Sequence, residues 1–143
     1  AIYSGDVVTL ASGYVTQGTA TSAPCGVFYG VYYTSSTGVP TFSRSWTAST
    51  ATQGSVAAKA FVYTDPDILY EAQFTGTPTQ ASVGATYTIS TTAGDTTTLR
   101  SKEGVTTTTS SGIARCVGFV KRPNNSIGQY ARAYFRFPAN QFE

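Results

Sequence analysis

Gln129-Tyr130-Ala131-Arg132-Ala133-Tyr134-Phe135-Arg136-Phe137 alternates without a break. Successive side chains on a strand point to opposite faces. Ala131, Ala133, Phe135 and Phe137 therefore share one face, which reads as core. Tyr130, Arg132, Tyr134 and Arg136 share the other, a ladder of Tyr and Arg with no carboxylate inside the strand. Pro138 ends the segment. Upstream, Ile113 to Arg122 is a second strand, and Pro123-Asn124-Asn125 is the turn between them. The two segments form an antiparallel hairpin. Asn124-Asn125-Ser126 also fits a glycosylation sequon, but the turn is the better reading.

Working back toward the N-terminus, the same pattern recurs in short pieces. Ile68 to Phe74 places Ile68, Tyr70, Ala72 and Phe74 on one face, with Leu69, Glu71 and Gln73 on the other. Asp65-Pro66-Asp67 is the turn before it. Val56 to Tyr63 and Val27 to Thr34 read as strands, the latter aromatic on both faces. Thr41 to Thr47 alternates so that Phe42 and Arg44 point with Trp46. Asp6 to Leu10 and Tyr14 to Thr16 form a hairpin across Ser12-Gly13. Tyr87 to Ser90 is a short strand, Ser90 to Thr98 is a polar loop, and Thr106 to Ser111 is a Thr/Ser run, strand or loop. Only Thr79 to Val83, stopped by Gly84, is helix-like, with Thr79 as its cap. About eight to ten short antiparallel strands with at most one helical turn give an all-β single domain, a β-barrel or a β-sandwich.

Composition sets the limits on function. The 143 residues are 41% hydrophobic and 13% aromatic, too apolar for disorder. Charged residues are only 11%, against ~25% in an average domain, so Thr, Ser, Gln, Asn and Tyr must cover the surface. A net charge of +2, dispersed along the chain, gives no electrostatic footprint for nucleic acid. No run approaches the ~20 apolar residues of a membrane helix. The chain has no initiator Met and enters strand-like sequence almost at once, which leaves room for an N-terminal segment ahead of Ala1. Cys25 and Cys116 are the only cysteines, either one bridge or two small buried residues.

Chemistry is nearly absent. The chain contains no His, which removes the commonest general base, Ser-His and Cys-His nucleophiles, and most zinc sites. No phosphate-binding loop is present. Asp65 and Asp67 are a conceivable calcium pair, but a self-capped turn explains them more simply. Asp95 with Glu103 is a conceivable carboxylate pair that nothing singles out. The expectation is a structural or interaction protein with no catalytic residue, cofactor or metal.

Several short motifs carry a resemblance. Asp65-Pro66-Asp67-Ile68-Leu69-Tyr70-Glu71-Ala72-Gln73, followed by Ala81-Ser82-Val83-Gly84, is similar to a pattern in tailed-bacteriophage head proteins. Gly94-Asp95-Thr96-Thr97-Thr98 with Arg100-Ser101, and Val117 through Arg122-Pro123-Asn124-Asn125-Ser126-Ile127-Gly128, fit the same group. Tyr3-Ser4-Gly5-Asp6-Val7-Val8 and Gly26-Val27-Phe28-Tyr29-Gly30-Val31 resemble its opening strands. The resemblance implies a capsid decoration, or cement, protein on the outer surface of a virion. Its partner would be the major capsid protein, its state a homo-oligomer with a trimer favoured, and its job to stabilise the lattice. Candidate contact residues are Tyr32, Tyr33, Phe42, Trp46, Tyr130, Arg132, Tyr134 and Arg136, since Tyr, Trp and Arg are enriched at interfaces. Other virion parts, such as a head fibre, tail-tube or tail-tip subunit, remain open. So does a carbohydrate-binding β-sandwich in which Trp46 joins Tyr29, Tyr32 or Tyr33 as a stacking platform.

Overall fold

A computed structural model describes residues 1–142. The chain is all-β, with thirteen strands, two single 3₁₀ turns and no α-helix among the described residues. The strands are β1 (Ile2–Tyr3), β2 (Val7–Ala11), β3 (Tyr14–Gln17), β4 (Gly26–Thr34), β5 (Pro40–Ser43), β6 (Ser45–Trp46), β7 (Lys59–Tyr63), β8 (Tyr70–Gln73), β9 (Thr86–Tyr87), β10 (Ile89–Ser90), β11 (Gly104–Val105), β12 (Ala114–Phe119) and β13 (Arg132–Arg136). All strand ladders are antiparallel. One sheet runs β3-β2-β4-β5, with β7 on the other side of β4; a second runs β8-β13-β12-β9. Two short ribbons, β1-β6 and β10-β11, complete a sandwich-like arrangement in which no sheet closes into a barrel.

The hairpins form where the turn chemistry demands them. Ser12 and Gly13 both have positive φ, 51° and 82°, as a two-residue turn matched to strand twist requires, and Ala11 pairs with Tyr14 across it. The β12–β13 turn is pinned by Asn125, whose side chain donates to the Val120 and Arg132 carbonyls and accepts the Arg132 N–H. The predicted helical turn is Gln80–Ser82, with Gly84 beyond it at φ 91°. A second turn, Gln53–Ser55, precedes β7.

Two hydrophobic clusters hold the sheets. The first centres on Phe74 and includes Tyr87, Ile89, Cys116, Phe135 and Phe137. The Phe74 ring meets Tyr87 and Phe135 edge-on at 5.5 and 5.2 Å. The second is Val8, Cys25, Phe28 and Val31, roofed by Tyr33, Trp46 and Val62. Val7 belongs to the first cluster and Val8 to the second, so β2 has core on both faces. Cys116 and Cys25 are buried and free, one in each cluster, so of the two readings of the cysteines the buried, unbridged one holds.

One expected alternation fails. Phe42, Arg44 and Trp46 do not share a face, because the strand breaks at Arg44. Ser43 Oγ accepts the Ser45 N–H there, and the chain turns away to pair β6 with β1. Phe42 stays exposed while Trp46 packs inward onto the second cluster.

Candidate functional site

The outer face of β4, β5 and β7 carries an exposed group of aromatic rings. Register places Tyr32 between Phe42 and Lys59, Gly30 beside Phe61, and Val27 beside Tyr63. A bulge between Phe28 and Gly30 turns Tyr29 outward among them. Tyr29, Tyr32, Phe42, Phe61 and Tyr63 are 43–50% exposed. Tyr29 lies 5.9 Å from Phe42 and 5.7 Å from Tyr63, and Phe42 lies 6.1 Å from Phe61. Gly30 makes this possible, since a Cβ there would collide with the Phe42 ring. The ring covers the strand glycine, a cross-strand arrangement that shields an otherwise bare backbone. With aromatic side chains offering about 150–250 Å² each, five half-exposed rings amount to about 500 Å² of contiguous surface. That is at the upper end of what a lone monomer shows, about 300–600 Å².

Of the sequence-derived candidates, Tyr32 and Phe42 belong to this face. Tyr33 and Trp46 do not: they meet edge-on at 5.3 Å on the opposite side of the sheet, half-buried against the second cluster. Phe61, Tyr63 and Tyr29 complete the group. The signal for the first two was the Phe61-Val62-Tyr63 alternation, which becomes informative only once β7 is known to lie beside β4.

Tyr130, Arg132, Tyr134 and Arg136 lie on the other sheet as a separate surface. Tyr130 sits outside the strand at φ 61°, its carbonyl accepting the Gln73 side chain. Glu71, from neighbouring β8, supplies the carboxylate that β13 lacks. It takes a two-pronged bond from Arg122, both arms 2.8 Å, and lies 3.6 Å from Arg132. Arg136 stands directly across from Arg115, and neither forms an ion pair among the described residues. This face is thus largely tied down by its own counter-charge at one end and carries two like charges at the other.

The carboxylates resolve differently from the sequence pairing. Asp65 caps its own turn, accepting the Asp67 N–H at 2.9 Å. Asp95 accepts the Thr97 and Thr98 N–H groups and meets Lys102 at 3.3 Å, which together lower its carboxyl to about 2. Glu103 instead joins Asp6. Asp6 is fully buried and accepts the Tyr3 N–H; Glu103 accepts the Val7 N–H, each at 2.8 Å. One oxygen of each carboxyl is buried without a partner. Burial, reinforced by the nearby Asp6 charge, pushes the Glu103 carboxyl up to about 7, against the lowering effect of the Val7 N–H. Glu103 borders an apolar void of about 160 Å³ between the sheets. That is well below the ~300 Å³ at which ligand pockets begin. Among the described residues no three His, Cys, Asp or Glu side chains gather as a metal site.

Comparison of the chain with models of known protein families, with curated proteins and with solved structures finds no match.

Proposed function

We propose that this chain is a non-enzymatic structural protein that docks on another protein through the aromatic face of β4, β5 and β7. One observation carries the reading: about 500 Å² of clustered, half-exposed rings, over half of the ~800 Å² that one partner contributes to a standard interface. The resemblance of its motifs to tailed-bacteriophage head proteins supplies the partner, the outer surface of the assembled major capsid lattice, and with it the trimeric state and the cementing role. Many copies on one lattice bind with avidity, so each face can be modest in strength.

Ring orientation favours a protein over a carbohydrate. A flat sugar platform needs rings that present their faces together. Here the rings are inclined to one another by 46°, 67° and 47°, so they form an uneven surface that suits interdigitating side chains. Trp46, the residue on which a sugar platform would centre, is packed against Tyr33.

The test mixes purified protein with capsids that lack it and measures occupancy and capsid melting temperature. Wild type is expected to bind and to raise the melting temperature. Phe42→Ala combined with Phe61→Ala is expected to weaken occupancy by at least about tenfold, since central aromatic anchors contribute upward of 1 kcal/mol each. Absence of binding, binding without stabilisation, or a double variant that binds like wild type each counts against the proposal.

A further inference from the structure

The aromatic face ends in a groove with different chemistry. Tyr29, Tyr63, Arg44 and Arg100 line it, around a volume of about 360 Å³. The Ser4-Gly5 turn lines it too, and backbone hydrogen bonds fasten that turn on three sides. The Ser4 N–H donates to the Arg44 carbonyl, the Gly5 N–H to the Phe28 carbonyl, and the Ser101 N–H to the Ser4 carbonyl, at 2.8, 2.8 and 2.9 Å. Gly5 has φ 101°, a conformation that side chains rarely adopt, and a Cβ there would press on Ser101. The groove is therefore preformed, and it fixes the backbone from which both arginines project.

Both arginines are exposed, and neither forms an ion pair among the described residues. No acidic residue lines the groove. The acids that come near in sequence are engaged elsewhere. Asp6 is buried beneath the turn and holds the Tyr3 N–H. Asp95 is taken by Lys102 and two backbone amides. Asp65 caps its own turn.

We infer that this groove receives a carboxylate side chain, Asp or Glu, from the docked protein. Arg44 and Arg100 would grip the carboxylate, and Tyr29 and Tyr63 would pack against its aliphatic stem. This inference rests on the docking reading and specifies the partner's chemistry. Guanidinium groups match carboxylates in planar, paired hydrogen bonds. Continuity with the aromatic face places the acid at the rim of an otherwise apolar contact, the usual arrangement of a protein interface. A polyanion would need a track of cations. Among the described residues the only other cation in register with these rings is Lys59, opposite Tyr32 and four residues along β7 from Tyr63.

The experiment titrates the full chain with the probe peptides acetyl-Phe-Glu-amide and acetyl-Phe-Gln-amide, and with glucuronate and inorganic phosphate. It follows the Arg44 and Arg100 side-chain N–H signals by NMR. The Glu peptide is expected to shift both arginine signals and the Gly5 and Tyr63 backbone N–H signals beside them, the Gln peptide to bind at least about tenfold more weakly, and Arg44→Gln with Arg100→Gln to abolish the shift of the Gly5 and Tyr63 signals. Equal binding of the two peptides, or no shift with the Glu peptide, overturns the inference. Glucuronate or phosphate binding as tightly as the Glu peptide overturns the protein source. The same arginine variant is then mixed with capsids. If it binds them like wild type while the Phe42 and Phe61 variant does not, the carboxylate inference fails and the docking reading stands. If wild type ignores capsids yet binds the Glu peptide selectively, the capsid proposal fails and the groove assignment stands.

Discussion

Glu103→Gln isolates what the buried acid pair costs the free protein. In the folded chain the Glu103 carboxyl titrates at about 7, against 4.5 for an unhindered glutamate. The folded state therefore keeps its proton through a range in which the unfolded state has lost it. Stability is full below about pH 4.5, declines as pH rises to about 7, and is level above that. The whole displacement corresponds to about 3.4 kcal/mol for a group shut off from water. Glu103 is only half-buried, and screening reduces this to about 2 kcal/mol. Gln cannot ionise, and its amide oxygen can still accept the Val7 N–H. The variant should show a flat stability profile from pH 5 to 8. It should exceed wild type by only about 0.5 kcal/mol at pH 5, where the decline has just begun, and by about 2 kcal/mol at pH 8, a rise of about 6 °C in Tm for a chain of this size. Asp95, lowered to about 2, loses its contribution only under more acidic conditions and does not enter this window. Urea unfolding followed by the fluorescence of Trp46, the single tryptophan, measures both profiles. A wild type without the decline, or a variant that keeps it, refutes the reasoning.

Two further substitutions probe the surfaces. Gly30→Ala places a methyl group against the Phe42 ring and 3.0 Å from the Ser43 carbonyl; the displaced ring should cost about 1–2 kcal/mol in urea unfolding, and the Phe42–Phe61 contact should loosen by NMR. Arg115→Thr removes a like charge directly across from Arg136 and should raise stability by about 0.5 kcal/mol at low salt, a gain that disappears at high salt, where wild-type repulsion is already screened.

Long alternations were legible from sequence, and brief ones were not. Ala131, Ala133, Phe135 and Phe137 are all buried as the pattern required, and Ile68 to Phe74 sorts its faces as read. Those segments have one wet and one dry face, so polarity alternates with geometry. The strands β1, β6 and β9 to β11 are two residues each, too short to show a period. Phe42 and Tyr32 could be singled out as aromatic, but β4 has hydrophobic residues on both faces, and nothing local says which face is covered. The Asp6–Glu103 pair was illegible for another reason. The two residues are 97 positions apart, and only the Val7 N–H reaching Glu103 brings them together. Arg132 looked free of a counter-charge because its partner, Glu71, lies on a different strand.

Val7 and Val8 are adjacent in sequence and inhabit different cores. Beside them on β4, Val27 packs toward the first cluster and Phe28 lies in the second. These two strands are a wall common to both compartments. A cut after β4 gives one fragment the wall and leaves the other with an open side, and a cut between β2 and β4 splits the wall itself, so neither half can stand as an autonomous folding unit. Nor can heat or denaturant empty one compartment without baring the reverse side of the other. The molecule is built to melt in a single step, and a flaw introduced in either core is borne by both.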